Sequence, residues 1–407
     1  MNVESLPRRA NHNLLKWLTC LMFMMFAMTS DAVGSVIPRI IDEFTLTLTE
    51  AGAFHFVPMI AIAVGALFLG FLADRIGRKQ TILMGLALYG AGSLLFAFGH
   101  TFGFFVMLLA VAGVGISVFK IGALALIGDI SSGSHQHTAM MNTVEGFFGL
   151  GSIIGPALVA ILLSMGWSWK WLYVCAAAMC ACLFMIAARV KYPDVRLGGE
   201  ESVNLGRTLR MMRNPFAIGF STLVALYVAV EVAIYVWMPT YLQQYDGPTS
   251  WLPTYALTIF FVLRVAGRFL GVWVLDRFRW GAVLAIFGAA IFACFALSML
   301  LGANAGAWLL PASGLFMSMM YPTLNSKGIS CFARSQHGAV AGLILFFTAA
   351  AAALGPLAMA AFSDAMGNVR YGFILATVFA LLLALGLIYN WWRDPATAQL
   401  ELIESSS

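Results

Sequence analysis

"GPALVA" runs from Gly155 to Ala160, and "GPLAMA" runs from Gly355 to Ala360, 200 residues later. Other pairs keep nearly the same distance. Phe147-Phe148 matches Phe346-Phe347, and "HQHTA" at 135–139 matches "SQHGA" at 335–339. Asp74-Arg75 matches Asp276-Arg277, and Asp31 matches Glu231. One such pair is chance. Five pairs near one offset read as two halves built on the same plan.

The duplicated material is apolar. Of 407 residues, 61% are hydrophobic and 10% charged, too little charge to cover a soluble protein of this length. Apolar runs of about 20 residues, the length that crosses a bilayer as a helix, recur from Leu14 to Trp392. They lack the alternation of a β-barrel, and an open sheet cannot satisfy its backbone in lipid. The runs predict an all-α polytopic membrane protein with twelve spans at 15–40, 52–73, 80–99, 103–128, 140–165, 169–189, 216–243, 252–275, 281–303, 308–330, 338–362 and 371–392. One longer polar stretch, 189–215, separates six from six. The expected division is therefore a six-helix bundle at 1–188, a linker, and a six-helix bundle with a short tail at 216–407. Parallel repeats of this kind place a substrate near the midplane, between the halves.

Arginine and lysine choose the sides. Arg8, Arg9, Arg75, Arg78, Lys79, the basic linker, Arg277, Arg279, Arg334 and Arg393 share one side. The other has little beyond Arg39, Lys170 and Arg370. The positive-inside rule puts both termini in the cytoplasm. The first apolar run carries Asp31 and Pro38 and has no clear cleavage site, so it reads as a retained helix rather than a leader. The net charge of +5 lies in these loops and does not signal nucleic acid. The six cysteines lack C-x-x-C spacing and read as packing residues. Nothing calls for a cofactor: there is no Walker A loop, no H-E-x-x-H and no G-x-S-x-G, so neither ATP-driven transport nor enzyme chemistry is expected. "GFFGLGSIIGP" lies in the fifth span. It is not a dinucleotide loop; Gly151 and Gly155 make a G-x-x-x-G packing face beside Pro156.

"GFLADRIGRK" (Gly70–Lys79) joins the second and third spans. It resembles the signature loop of the major facilitator superfamily, and with twelve spans in a 6+6 duplication the resemblance covers nearly the whole chain. It implies a cytoplasmic latch carried by Gly70, Asp74, Arg75, Gly77 and Arg78, with Asp129 as the candidate partner of Arg78. The second copy keeps Asp276, Arg277 and Gly281 but has Val272 in place of the first glycine, so the latch is expected to be asymmetric.

Seven ionisable residues fall inside expected spans: Asp31, Lys120, Glu145, Glu231, Arg264, Arg268 and Lys327. Such residues face a bundle interior or a water-filled cavity, where they bind, pair or move protons. A static salt bridge and a coupled carrier use the same opposite charges, and an Asp31–Lys120 pair would serve either. Asn142, Tyr235, Trp237 and Asn325 lie near them. "TVEGFFGLG", "VAVEVAIYVWMPTYL" and "LRVAGRFLG" resemble the fucose–galactose–glucose:proton symporter subfamily, in which the fourth span usually carries a glutamate where this chain has Lys120.

That resemblance implies a proton-coupled importer of a neutral sugar. Asp31 would carry the proton, with Glu145 a second coupling candidate. Glu231 and Asn142 would bind the sugar, and Trp237 would stack on it. The departure at Lys120 keeps open a carrier for an organic anion or sugar acid, with Lys120 and Arg264 clamping its carboxylate. A non-transporting receptor is a third reading. The expected partners are a small molecule, protons and the lipid of a bacterial inner membrane, with the chain working as a monomer.

Overall fold

A computed structural model describes residues 6–69, 72–130, 134–193, 211–332 and 337–406. Among the described residues, helix occupies most of each of the twelve expected ranges, and none is in a strand. Ten helices among the described residues are long and apolar enough to cross a membrane. The first range is broken: α1 (Leu6–Ser30) stops, Asp31 and Ala32 turn, and α2 (Val33–Phe44) resumes. The tenth is broken too, between α13 (Ala303–Met317) and α14 (Met320–Ser330). Continuous apolar patterning does not reveal either break.

The chain forms two compact units. The first comprises Met1–Phe44 and Ala53–Glu200; the second comprises Thr45–Gly52 and Glu201–Ser407. Most of the linker, 194–210, lies outside the described residues.

In the first unit, α1 packs on α8 (Ser134–Ser164), α4 (Ala53–Leu69) on α7 (Phe102–Ile130), and α6 (Arg78–Leu95) on both α7 and α9 (Trp171–Arg189). The short α5 (Leu72–Arg75) leads into α6. The G-x-x-x-G face explains the α1–α8 approach. A Cβ at Gly151 would strike the Met24 carbonyl, and one at Gly155 the Met28 carbonyl. With no hydrophobic force between helices in lipid, small residues and close packing hold such pairs together. An aromatic cluster fills one end, with Phe96 stacked on Tyr173 at 3.9 Å. Beside it Trp169 donates to Glu43 at 2.7 Å.

The second unit repeats this plan. Here α10 (Pro215–Tyr241) packs on α15 (His337–Met366), α11 (Leu252–Arg277) on α13, and α12 (Trp280–Leu301) on α16 (Val369–Arg393). Gly355 meets Ala229 on α10, the counterpart of Gly155 on α1. The repeat extends to side chains. Lys170 donates to the Gly99 carbonyl at 3.2 Å, and Arg370 to the Met299 carbonyl at 2.6 Å. Both donors and both acceptors are 200 residues apart.

Two further features stand outside the paired helices of the described residues. The short α3 (Leu48–Ala51) opens with a Thr47–Glu50 capping box. Its Leu48 and Thr49 amides donate to Asp364 at 2.9 and 2.7 Å, and this grouping puts 45–52 in the second unit. The expected tail folds as α17 (Pro395–Ser406), tied by Gln399 to the Cys331 carbonyl at 3.2 Å. Large apolar side chains such as Phe269 and Trp392 point outward, 78% and 76% exposed. That is the surface of a protein solvated by lipid.

Candidate functional site

Asp31 occupies the break between α1 and α2 and is buried. Its amide still donates to Ala27 at 3.1 Å, so the helical path bends without losing that bond. Ser152 on α8 donates to Asp31 Oδ2 at 2.6 Å, and Ser30 to Oδ1 at 3.0 Å. Ser152 is the residue that sequence reasoning missed. It stands between Gly151 and Gly155, and the small-residue face that brings α8 against α1 also aims this hydroxyl at the carboxylate. A polar residue inside a G-x-x-x-G face was the available signal. Next to it Thr29 shares a 2.8 Å hydrogen bond with Tyr89 of α6.

Lys120 is half-buried on α7, and its ammonium lies over the Phe148 ring, 5.7 Å from the centroid. It forms no ion pair with Asp31. The expected pair fails because the Lys120 ammonium turns to the aromatic face of α8 while α8 meets Asp31 with a serine. Glu145 is exposed rather than turned into the unit. The Asn142 side chain lies outside the described residues.

In the second unit, Tyr227 and Glu231 stand one turn apart on α10, both buried. Glu231 Oε1 accepts from Tyr227 at 2.7 Å and from Arg264 of α11 at 2.5 Å. Tyr227 Oη is also 3.1 Å from the Met317 carbonyl, beside the break between α13 and α14. Arg264 is thus engaged by a carboxylate of its own unit, which removes the simple picture of an open clamp. Trp237 corrects the sequence reading as well. Its ring is 1% exposed, its Nε1 donates to the Pro356 carbonyl at 3.1 Å, and Gly52 lies against its edge. It is a packing anchor, because an indole with its N–H satisfied fills the α10–α15 contact. Tyr235, partly buried, leans on Phe261 at 6.2 Å, and Asn325 is partly buried on α14.

At the other motif, Gly77 has φ +89°, a conformation open to glycine. Immediately after it, Arg78 donates to Asp129 at 2.8 Å and to the Ala73 carbonyl at 2.8 Å, with side chains 4% and 9% exposed. Lys79 holds the Ala188 and Val190 carbonyls at the end of α9. Burial pushes the nearby Tyr192 phenol up to about 12. Arg75 is exposed; Gly70 and the Asp74 side chain lie outside the described residues. In the second copy Asp276 and Arg277 are both exposed, and Arg277 rests on Trp273 at 4.5 Å.

The sequence profile described as Major Facilitator Superfamily matches residues 19–347. The chain is 24% identical over 395 residues to the L-fucose-proton symporter of Escherichia coli (strain K12), covering 86% of this chain and 87% of that protein. It is 27% identical over 167 residues to the niacin transporter NiaP of Acinetobacter baylyi, covering 40% of this chain and 38% of the relative. A solved bacterial homolog of the human lysosomal transporter Spinster, inward-facing and occupied, superposes with a TM-score of 0.75 at 14% identity. It covers 95% of this chain and 97% of its own. That likeness shows the fold.

Proposed function

Because this chain belongs to the Major Facilitator Superfamily, we propose that it is a secondary active transporter moving a small polar solute, a sugar, by proton-coupled alternating access. The observation that carries this reading is Asp31: a buried carboxylate at a helix break, met by the hydroxyls of Ser30 and Ser152. A hydroxyl can donate to a carboxylate or accept from a carboxylic acid, so the same cradle serves both protonation states. The Tyr227–Glu231–Arg264 cluster supplies donors and acceptors for sugar hydroxyls, with Tyr235, Asn142 and Asn325 as further candidate contacts. Arg78 and Asp129 act as the cytoplasmic latch, with Gly77 shaping the turn. Kinship with an L-fucose-proton symporter over most of both chains supports the substrate class. In this reading the chain works as a monomer in a bacterial inner membrane with both termini cytoplasmic.

A second reading, a carrier for an organic anion, is favoured by Lys120, whose ammonium rests on a ring and meets no carboxylate among the described residues. Purified protein in liposomes separates the two. Under an inward proton gradient, labelled L-fucose accumulates if the first reading holds. Uptake confined to sugar acids, and lost in Lys120→Gln, favours the second. Gradient-independent uptake of every solute tried would sink proton coupling.

A further inference from the structure

The chain passes from the first unit to the second at Phe44–Thr45 and returns at Gly52–Ala53. Both flanks are pinned in the first unit. Glu43 accepts from Trp169 at 2.7 Å and pairs with Lys170 at 3.3 Å. The Phe44 ring lies 6.1 Å from those of Phe102 and Phe105. On the return side Phe54 is 1% exposed, stacked on Phe102 at 5.7 Å and edge-on to Trp169. Residues 45–52 are held by the second unit instead. Asp364, near the end of α15, accepts from the Leu48 amide through Oδ1 and from the Thr49 amide through Oδ2. Gly52 lies against the Trp237 ring.

The two holdings differ in kind. Rings set in an aromatic cluster anchor the flanks, while a partly buried carboxylate anchors α3. The chain between them has little slack. Residues 45–47 separate Phe44 from Leu48, and Ala53 alone separates Gly52 from Phe54. An extended chain spans at most about 3.3–3.6 Å per residue. Thr45 is also strained, with φ +53°. A left-handed backbone crowds Cβ against the following carbonyl, and a β-branched residue is an outlier there. Such strain persists only where the surroundings over-determine it, and it clusters at switch regions. Here the surroundings are the Phe44 anchorage before the turn, and the Thr47–Glu50 capping box and Asp364 after it.

We propose that residues 45–52 are a releasable strap, with Asp364 the catch that holds it and Thr45 the strained turn that loads it. The inference rests on the reading of the chain as an alternating-access carrier, in which the two units move relative to each other. A tie this short cannot follow such movement with both anchorages intact. The Asp364 bonds yield first. Water replaces hydrogen bonds at a partly buried carboxylate at modest net cost, whereas drawing Phe54 from its cluster exposes a whole ring. On release α3 travels with the first unit and Thr45 relaxes out of the left-handed region. The strap adjoins the start of α4, and the Gly77–Arg78 loop follows beyond its end. One helix thus carries a tie at each end.

Two measurements on the full-length protein test this. The first is hydrogen–deuterium exchange in lipid nanodiscs, read on the peptide carrying the Leu48 and Thr49 amides, and it needs no substrate. Asp364→Asn removes one of the two carboxylate acceptors and quickens exchange at least about tenfold. Thr45→Asn, whose short side chain tolerates the left-handed turn, slows it about fivefold. Thr45→Val stays branched and does not slow it. Exchange unchanged or quicker in Thr45→Asn overturns the loaded turn, and unchanged exchange in Asp364→Asn overturns the catch. The second measurement seals the strap. Thr49→Cys combined with Asp364→Cys is oxidised in proteoliposomes, with the disulfide verified by mass spectrometry. Exchange of labelled L-fucose stops and returns with reductant, while each single variant is indifferent to the oxidant. Undiminished exchange in the sealed protein overturns release. If the wild-type protein moves no L-fucose, the sugar reading falls, and the opposite shifts of Asp364→Asn and Thr45→Asn still decide the strap.

Discussion

Asp31 and Glu231 occupy the same place in two copies of one design, yet their surroundings differ in kind. Asp31 is met by the hydroxyls of Ser30 and Ser152, Glu231 by a phenol and a guanidinium. A guanidinium can only donate, whereas a hydroxyl can donate or accept. Duplication supplied two buried acids, and the neighbours of each differ: hydroxyl donors at one, a phenol and a guanidinium at the other.

The largest expected effect breaks the first member of the pair. Asp31→Asn abolishes accumulation against a gradient in proteoliposomes but keeps exchange, because the amide occupies the site without carrying a proton. Retained accumulation removes the distinction between the halves. Next comes the second member. Arg264→Gln strands Glu231, and stranding one partner of a buried pair costs about 3–5 kcal/mol. Thermal unfolding should therefore fall sharply, and the double variant with Glu231→Gln should recover most of the loss. If the single and double variants melt alike, the pair is not structural. A comparable contrast separates the two loop copies. Arg78→Ala removes a buried bond to Asp129 and should destabilise strongly. Arg277→Ala removes an exposed cation–π contact worth about 0.5–1 kcal/mol. The smallest effect is Ser152→Ala, about 0.6 kcal/mol for one interhelical hydrogen bond in a membrane. It should show as a modest shift in melting and a changed pH dependence of exchange, with accumulation intact.

Much of this was legible in the chain. Span length and the five repeat matches led to the helices and their duplication, because lipid allows few alternatives. Asp31 and Glu231 were visible because charge is costly in a bilayer. Partners were harder to read. Lys120 looked like the counter-ion of Asp31, since sign and depth agreed, but side-chain direction on α7 sends it to Phe148. Trp237 looked like a stacking platform, and only three-dimensional packing shows its ring enclosed. Ser152 was hidden by its neighbours, whose small size reads first as packing. The grouping of 45–52 with the second unit depends on a hydrogen bond to Asp364, more than 300 residues away, and no local pattern encodes that.

Lys170 and Arg370 bear on how the protein is made. In the proposed orientation, with both termini cytoplasmic, Lys170 just before α9 and Arg370 in the first turn of α16 must be translocated, where the positive-inside bias opposes them. Each finds its carbonyl only after an earlier helix of its own half is in place, Gly99 ending one and Met299 the other. In that orientation both halves meet the same obstacle at the same point of their chain during synthesis, and in both the remedy arrives only with folding.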